Sequence, residues 1–295
     1  MVHSDGPIRA TSADPHDPSE GDRGAPSNLY EEPNLRNPVI HEWTTATAST
    51  NDRLVELLEA GADLPDFAVV GTDHQTAGRG RLDRVWTVPP GRALTFSVPV
   101  RVPSDTPADA LGWLPVVTGV AVRAALAEAG VAAQLKWPND VLVDGRKICG
   151  ILARMVVHGG RTSVVIGAGV NVGLTADDLR AGGVPDGAAT SVLLEGGRTD
   201  RDALLGSLVA HLRRTATAVL DEGSAFAEGA TAAEARAAMV TLGSAVRVHL
   251  PGGDQLVGTA VDLDAHANLL VRPDGAAEDA TVRVAAGDVV HVRPA

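Results

Sequence analysis

Apolar positions first fall into a regular pattern near residue 36, and the period of that pattern then changes several times along the chain. Ser49, Thr50, Asn51 and Asp52 offer N-cap side chains ahead of Leu54, Leu57 and Leu58, which share one helical face, and Gly61 closes the helix. Residues 67–71 form a short apolar run that predicts a buried strand. Leu94, Phe96, Val98 and Val100 alternate with Thr95, Ser97, Pro99 and Arg101. That alternation predicts a half-buried strand, and Pro99 predicts an irregular or edge position for it. Residues 111–129 predict a long apolar helix. Strands follow at 134–137, 141–143, 148–157 and 162–168, joined by Asp144-Gly145 and Gly159-Gly160 turns, so consecutive antiparallel pairs are expected. Leu174 to Asp178 reads as loop, residues 200–221 as helix, and the Ala- and Glu-rich stretch 225–238 as a linker. Five short β-rich runs then fill residues 245–293, separated by turn residues such as Pro251-Gly252-Gly253 and Pro273-Asp274-Gly275. Such spacing is the signature of a small barrel. The expected class is α+β: a tail over residues 1–35, a mixed-sheet domain over 36–238, and a barrel over 239–295.

Charge changes this picture in one place. Lys and Arg total 25 against 37 Asp and Glu, a formal charge of −12 over 295 residues. That argues against a general nucleic-acid binder, which needs a basic face to release counterions, so no DNA partner is expected. In the barrel, too, acidic residues outnumber the four arginines. Residues 1–33 hold seven acidic side chains against Arg9 and Arg23, among many Pro, Gly and Ser residues, and are expected to be disordered. One cysteine, Cys149, excludes an intramolecular disulfide and fits a reducing cytoplasm. Residues 1–30 lack a basic stretch followed by an apolar run, and no run approaches 18 consecutive apolar residues, so no signal peptide and a soluble cytoplasmic protein with no membrane partner are expected.

Against this acidic background, residues 74–81 read HQTAGRGR, with Arg84 close behind. The glycines let backbone approach a ligand, and the guanidiniums match phosphate or carboxylate oxygens. No Gly-x4-Gly-Lys-Ser/Thr is present. Two further stretches, LKWPNDVL (135–142) and GRKICGIL (145–152), flank one hairpin. Pro138 interrupts the ladder, which puts Asn139 and Asp140 at a bend, and the Asp144-Gly145 turn is expected to bring Lys136 and Lys147 side by side. GAGVNVG (167–173) misses the dinucleotide fingerprint by one position, but its glycines allow a flat base to lie on backbone with Asn171 as polar reader. Taken singly, each stretch also suits an ordinary role: a solvated loop, exposed strand ends, a turn-stabilising aspartate, a tight strand exit. His74 reads as a loop-packing residue. The histidines show no metal-ligand spacing, and Gly-x-Ser-x-Gly is absent.

In order, ASTND (48–52), HQTAGRGR with Arg84 and Trp86, LKWPNDVL, GRKICGIL, VVIGAGVN (164–171) and LGSAVRVHLPGG (242–253) resemble the biotin protein ligases. The resemblance runs from about residue 40 to the C-terminus. It implies a catalytic domain like those of class II aminoacyl-tRNA synthetases and biotin–lipoate ligases, followed by an SH3-like barrel. It implies a reaction in which biotin and MgATP give biotinyl-5′-adenylate and pyrophosphate, and a lysine of a biotin carboxyl-carrier domain of acyl-CoA carboxylase then takes the biotinyl group and releases AMP. The ligase-only form, without a DNA-binding domain, is expected, as a monomer or a homodimer.

The resemblance also distributes roles. Ser49, Thr50, Asn51 and Gln75 would hold the polar ends of biotin, with Gly80, Gly150 and Ile151 giving further contacts. Arg79, Arg81 and Arg84 would pair with phosphates and shield the adenylate, Arg79 and Arg81 also bordering biotin. Lys147 would sit at the biotin carboxylate and α-phosphate as main electrostatic catalyst. Trp86 would pack on the adenine side, with Lys136, Asn139 and Asn171 lining the nucleotide and Mg2+ region; no protein ligand to the metal is assigned. Asp140 would orient the incoming lysine or accept its proton. Arg154 and Asp83 depart from the family pattern, where an acidic residue and a glycine are usual. A lipoate–protein ligase would share fold and chemistry, but GRGR paired with KWPND, and the barrel, favour biotin. The remaining alternative, an adenylate-binding protein without transfer, rests on Arg154 and Asp83 alone.

Overall fold

The computed structural model describes residues 37–81, 84–250, 253–285 and 288–291; the expected tail over residues 1–35 and Asp83 lie outside the described residues. Strand β1 (Ile40–Thr44) leads to helix α1 (Thr50–Glu59), which begins where its caps predict. Ser49 has extended backbone, its hydroxyl accepts the Asp52 N–H at 3.3 Å, and Gly61 follows the helix at φ +83. Phe67 stands at φ 63, a turn conformation, so β2 (Val69–Thr72) starts two residues into the apolar run. Two short strands, β3 (Gly78–Arg79) and β4 (Val85–Trp86), pair across the arginine loop. Then come β5 (Ala93–Val102), α2 (Trp113–Glu128), β6 (Gln134–Lys136), β7 (Asp140–Val143), β8 (Arg146–His158) and β9 (Arg161–Asn171). Helices α3 (Ala176–Ala181), α4 (Arg201–Glu222) and α5 (Ala230–Ala237) complete this part.

Seven strands form one mixed sheet in the order β1-β2-β5-β9-β8-β7-β6, parallel only between β1 and β2. Leu94, Phe96, Val98, Val100, Ile166 and Val170 share a core with the apolar residues of α2 and α4, while Val70, Val156 and Val165 pack with Leu54, Val55 and Leu58 of α1. The sheet is thus covered on both faces. The segment Ala110–Glu128 is apolar enough to cross a membrane, with mean hydropathy 1.6, but 67% of it is buried inside this fold, as befits a core helix.

Three expectations need correction. β5 is central rather than an edge, and its first eight residues are buried. Pro99 is tolerated because β2 stops pairing with β5 at Val70 opposite Ser97. Beyond that point Phe67 N–H donates to Pro99 O, and Arg101 N–H donates to Asp66 Oδ1, each at 2.9 Å, so the missing N–H faces a turn and not a ladder. Residues 225–238 are not a linker: a 3-10 turn (Gly223–Glu228) and α5 bury Phe226, Ala227, Ala232 and Ala235, with Phe226 edge-on to Trp113 at 5.5 Å. Alanine is the best helix former, and its small side chain lets α5 pack closely. Finally, a helix does follow β9: Thr175 and Asp178 make a reciprocal capping box that starts α3.

β10 (Ala245–His249), β11 (Gln255–Leu263), β12 (Leu269–Pro273), β13 (Val282–Val284) and β14 (Asp288–His291) form an antiparallel sheet in the order β13-β12-β11-β10-β14, as expected of the small barrel. Its 264–268 loop is keyed to the larger sheet domain. Trp113 Nε1 donates to Ala265 O and Trp137 Nε1 to Ala267 O, both at 2.9 Å. A Cβ on Gly112 would fall 2.1 Å from His266 O, so only glycine permits this approach. Arg236 adds bonds to Asp262 Oδ1 and Leu263 O at 3.0 and 3.1 Å.

Candidate active site

The N-terminus of α1, the arginine loop and the glycine-bearing parts of β8 and β9 line an open cleft. At its polar end, α1 delivers Ser49, Thr50 and Asn51, all buried. Thr50 N–H donates to Gln75 Oε1 at 2.8 Å, and Asn51 Nδ2 to Leu152 O at 3.0 Å. The Ser97 hydroxyl lies 2.7 Å from the Thr50 hydroxyl and 2.6 Å from Asn51 Oδ1. Fixed in this way, the donors and acceptors there are preorganised. A Cβ on Gly167 would fall 2.3 Å from Asn51 Oδ1, which explains the glycine.

The base of the arginine loop is anchored. Thr76 and Ala77 N–H groups donate to Thr47 and Ala48 carbonyls at 2.9 and 3.0 Å, and Gly80 N–H donates to Arg84 O at 2.6 Å. Arg79, Gly80, Arg81 and Arg84 line the cleft. Arg79 Nε lies 3.7 Å from Asp52 Oδ2, and Arg154 lies 3.5 Å from Asp52 Oδ1. Arg154 therefore touches the loop through a shared carboxylate. His74 Nδ1 is 3.2 Å from Val88 O, the packing role its sequence context suggests.

At the centre, Lys147 Nζ stands 2.5 Å from Asp140 Oδ1 and 5.9 Å from the Trp86 ring centroid. Trp86 lies on a glycine floor: a Cβ on Gly169 would be 2.8 Å from its indole, and one on Gly150 3.4 Å. Among the described residues its buried indole N–H has no hydrogen-bond partner. Behind it opens a second, largely apolar cavity, which shares Trp86 and Lys147 with the first and adds Asn171, Leu174, Leu179, Val184 and Ala189. Asn171 Nδ2 donates to Thr190 O at 2.9 Å, while its buried Oδ1 has no partner among the described residues. Two cavities thus meet at one ammonium.

Most residues singled out in the sequence converge here, with Asp140 joined through Lys147. Lys136 does not: β7 lies between β6 and β8, so the two lysines flank that strand instead of standing side by side, and Lys136 lines neither cavity. Asn139 lines the cleft, but its Nδ2 is committed to Ile151 O at 2.6 Å. Ser97, Thr95 and Asp52 were missed. The signal for Ser97 was present: it is a small polar residue on the strand face opposite Phe96 and Val98. Burial pushes the Cys149 thiol up to about 12, so it offers no thiolate. Among the described residues no group of three or more His, Cys, Asp or Glu side chains is placed to hold a metal ion.

The profile of the biotin/lipoate A/B protein ligase family matches residues 43–171, and that of the biotin protein ligase C-terminal domain matches residues 241–292. The chain is 39% identical over 256 residues to the biotin–[acetyl-CoA-carboxylase] ligase of Mycobacterium tuberculosis, an alignment covering 84% of this chain and 87% of that protein. It is 33% identical over 180 residues to the bifunctional ligase/repressor BirA of Escherichia coli, covering 60% of this chain and 53% of BirA. Its fold resembles the biotin protein ligase from Aquifex aeolicus in complex with biotin and ATP, with a TM-score of 0.66 and 24% identity over 87% of this chain and 99% of that one. With both profiles matched in order, and with the mycobacterial enzyme matched over nearly its whole length, the chain belongs to the biotin protein ligases of the biotin/lipoate A/B protein ligase family.

Proposed function

We propose that the chain attaches biotin to a lysine of a biotin carboxyl-carrier domain of acyl-CoA carboxylase, at the expense of ATP. The observation that carries this reading is Lys147, held at the junction of a polar-ended cleft and an apolar cavity, under an arginine loop. In the first step a biotin carboxylate oxygen attacks the α-phosphorus of ATP, and the bond from that phosphorus to the oxygen bridging the β-phosphate breaks. Pyrophosphate leaves with the electron pair. Two anions must approach one another, and charge builds on the phosphoryl oxygens, so fixed cations lower the barrier most. Lys147 is assigned to the meeting point, and Arg79, Arg81 and Arg84 to the phosphates. ATP enters as its Mg2+ complex; an ion carried on phosphates keeps several waters and needs few protein ligands.

Biotin is assigned to the cleft, its polar ends on Ser49, Thr50, Asn51 and Gln75, against the backbone of Gly80, Gly150 and Ile151. The nucleotide base is assigned to the second cavity, beside Trp86 and the unpartnered Asn171 Oδ1; Asn139 borders both ligands. Lys136 we leave out of the site. In the second step the carrier amine attacks the acyl carbon, AMP departs, and the amine's proton goes to a base. Asp140 is assigned that role once substrate charge has drawn Lys147 away from it. Biotin-dependent exchange of labelled pyrophosphate into ATP, without carrier, tests the assignment. Lys147→Ala should lower the exchange rate by about 10²-fold or more, as loss of a transition-state donor does. Exchange supported by lipoate in place of biotin would refute the substrate assignment.

A further inference from the structure

The segment after β9 does more than wall the second cavity. Residues 188–190 run beside Lys147 as a short extension of the sheet: Lys147 N–H donates to Ala188 O, and Thr190 N–H donates to Lys147 O, each at 2.9 Å. β9 cannot fill that position, because its pairing with β8 begins at Val170 opposite Cys149. The backbone of Lys147 is therefore bracketed by Leu142 of β7 on one side and by this segment on the other. Asn171 Nδ2 ties into the same place through Thr190 O.

What holds the segment there is Glu195. Its carboxylate accepts the hydroxyl of Thr190, which is fully buried, and the Arg146 guanidinium lies 3.1 Å from Oε1 and 3.2 Å from Oε2. The Glu195 side chain is 13% exposed, so solvent screens this pair weakly. Arg146 precedes Lys147 on β8, and strand alternation sends the two side chains to opposite sides, one to Glu195 and one to the cleft. A closed circuit results, from Arg146 through Glu195 and Thr190 back to Lys147. Neither Arg146 nor Glu195 lines the cleft or the second cavity.

We propose that Glu195 and Arg146 are positioning residues for Lys147, acting through the 188–190 segment. The proposal rests on the assignment of Lys147 as electrostatic catalyst. A lysine amine on four rotatable bonds is placed first by its backbone, and adenylation is sensitive to small misplacements of a charged group. The same segment contributes Ala189 to the second cavity and fixes Asn171, so the nucleotide side moves with it. The biotin end at Ser49, Asn51 and Gln75 is built from other elements and does not.

The test is biotin-dependent pyrophosphate exchange by the full chain as wild type, Glu195→Gln, Arg146→Gln and the double variant. Glu195→Gln keeps volume and an acceptor for Thr190 while removing the ion pair, and Arg146→Gln probes the pair from its more exposed side. Each single variant is expected to lower kcat roughly three- to tenfold and to raise KM for ATP, with KM for biotin within about twofold. The double variant should be no worse than the worse single one, because both break one circuit. Unchanged kcat in both singles, a parallel rise of the two KM values, or losses that multiply would each overturn the proposal alone. Absence of exchange in the wild type would instead overturn the ligase reading beneath it.

Discussion

Gly167 and Gly169 sit two residues apart on the same face of β9, one against Asn51 and the other against Trp86. A methyl at Gly167 would stand 2.3 Å from Asn51 Oδ1, and one at Gly169 would stand 2.8 Å from the Trp86 indole. Overpacking of this kind costs about 1–3 kcal/mol, so Gly167→Ala should raise KM for biotin by roughly tenfold. Gly169→Ala should raise KM for ATP instead, and steady-state kinetics with each substrate varied in turn checks the split. Both glycines were visible in the sequence as a surface for a flat ligand. Their second purpose, making room for Asn51 and Trp86, was not, because it depends on neighbours more than 80 residues away. Lys136 failed for a related reason. Hairpin turns give the order of strands, but the strand at 141–143, which is β7, stands between the strands that carry Lys136 and Lys147, so the Asp144-Gly145 turn cannot bring these two side by side.

At the level of elements, strong local signals were read correctly and tertiary compensation was not. α1, α4 and the β6 to β9 meander follow from capping residues, apolar period and Gly turns. β5 was misplaced because a proline argues against a central strand, and only the turn at Phe67 makes it harmless there. The 225–238 stretch was misread since its alanines carry no apolar period, and burial against α2 decides its structure. α4 offers an independent check. Asp200 Oδ1 accepts the Asp202 and Ala203 N–H groups at 3.1 and 3.0 Å, and Asp200 lines neither cavity. Asp200→Ala should cost about 1 kcal/mol in urea unfolding and leave exchange kinetics unaltered.

Over the whole molecule, the order of sheet domain and barrel was legible, but the joint between them was not: it includes two tryptophan N–H bonds, one close glycine approach and the Arg236 bonds to Asp262 and Leu263. The 264–268 loop that makes the joint is organised by Asp264. Burial would raise this carboxyl, yet bonds from the Asn268 amide and backbone N–H and from the His266 N–H outweigh it and hold it below the ordinary aspartate range. A carboxyl lowered by folding stabilises above its unfolded value, near 4, and loses that contribution as pH falls through its folded value. Thermal unfolding followed from pH 7 down to 3 should therefore show a steeper loss below about pH 4 in the wild type than in Asp264→Asn. The same joint has an optical consequence. Of the four tryptophans, Trp43, Trp113 and Trp137 each have the indole N–H engaged by a protein oxygen, and among the described residues Trp86 has no such partner. The fourth lies between the two cavities, so filling either one is expected to change Trp86 emission above the signal of the other three.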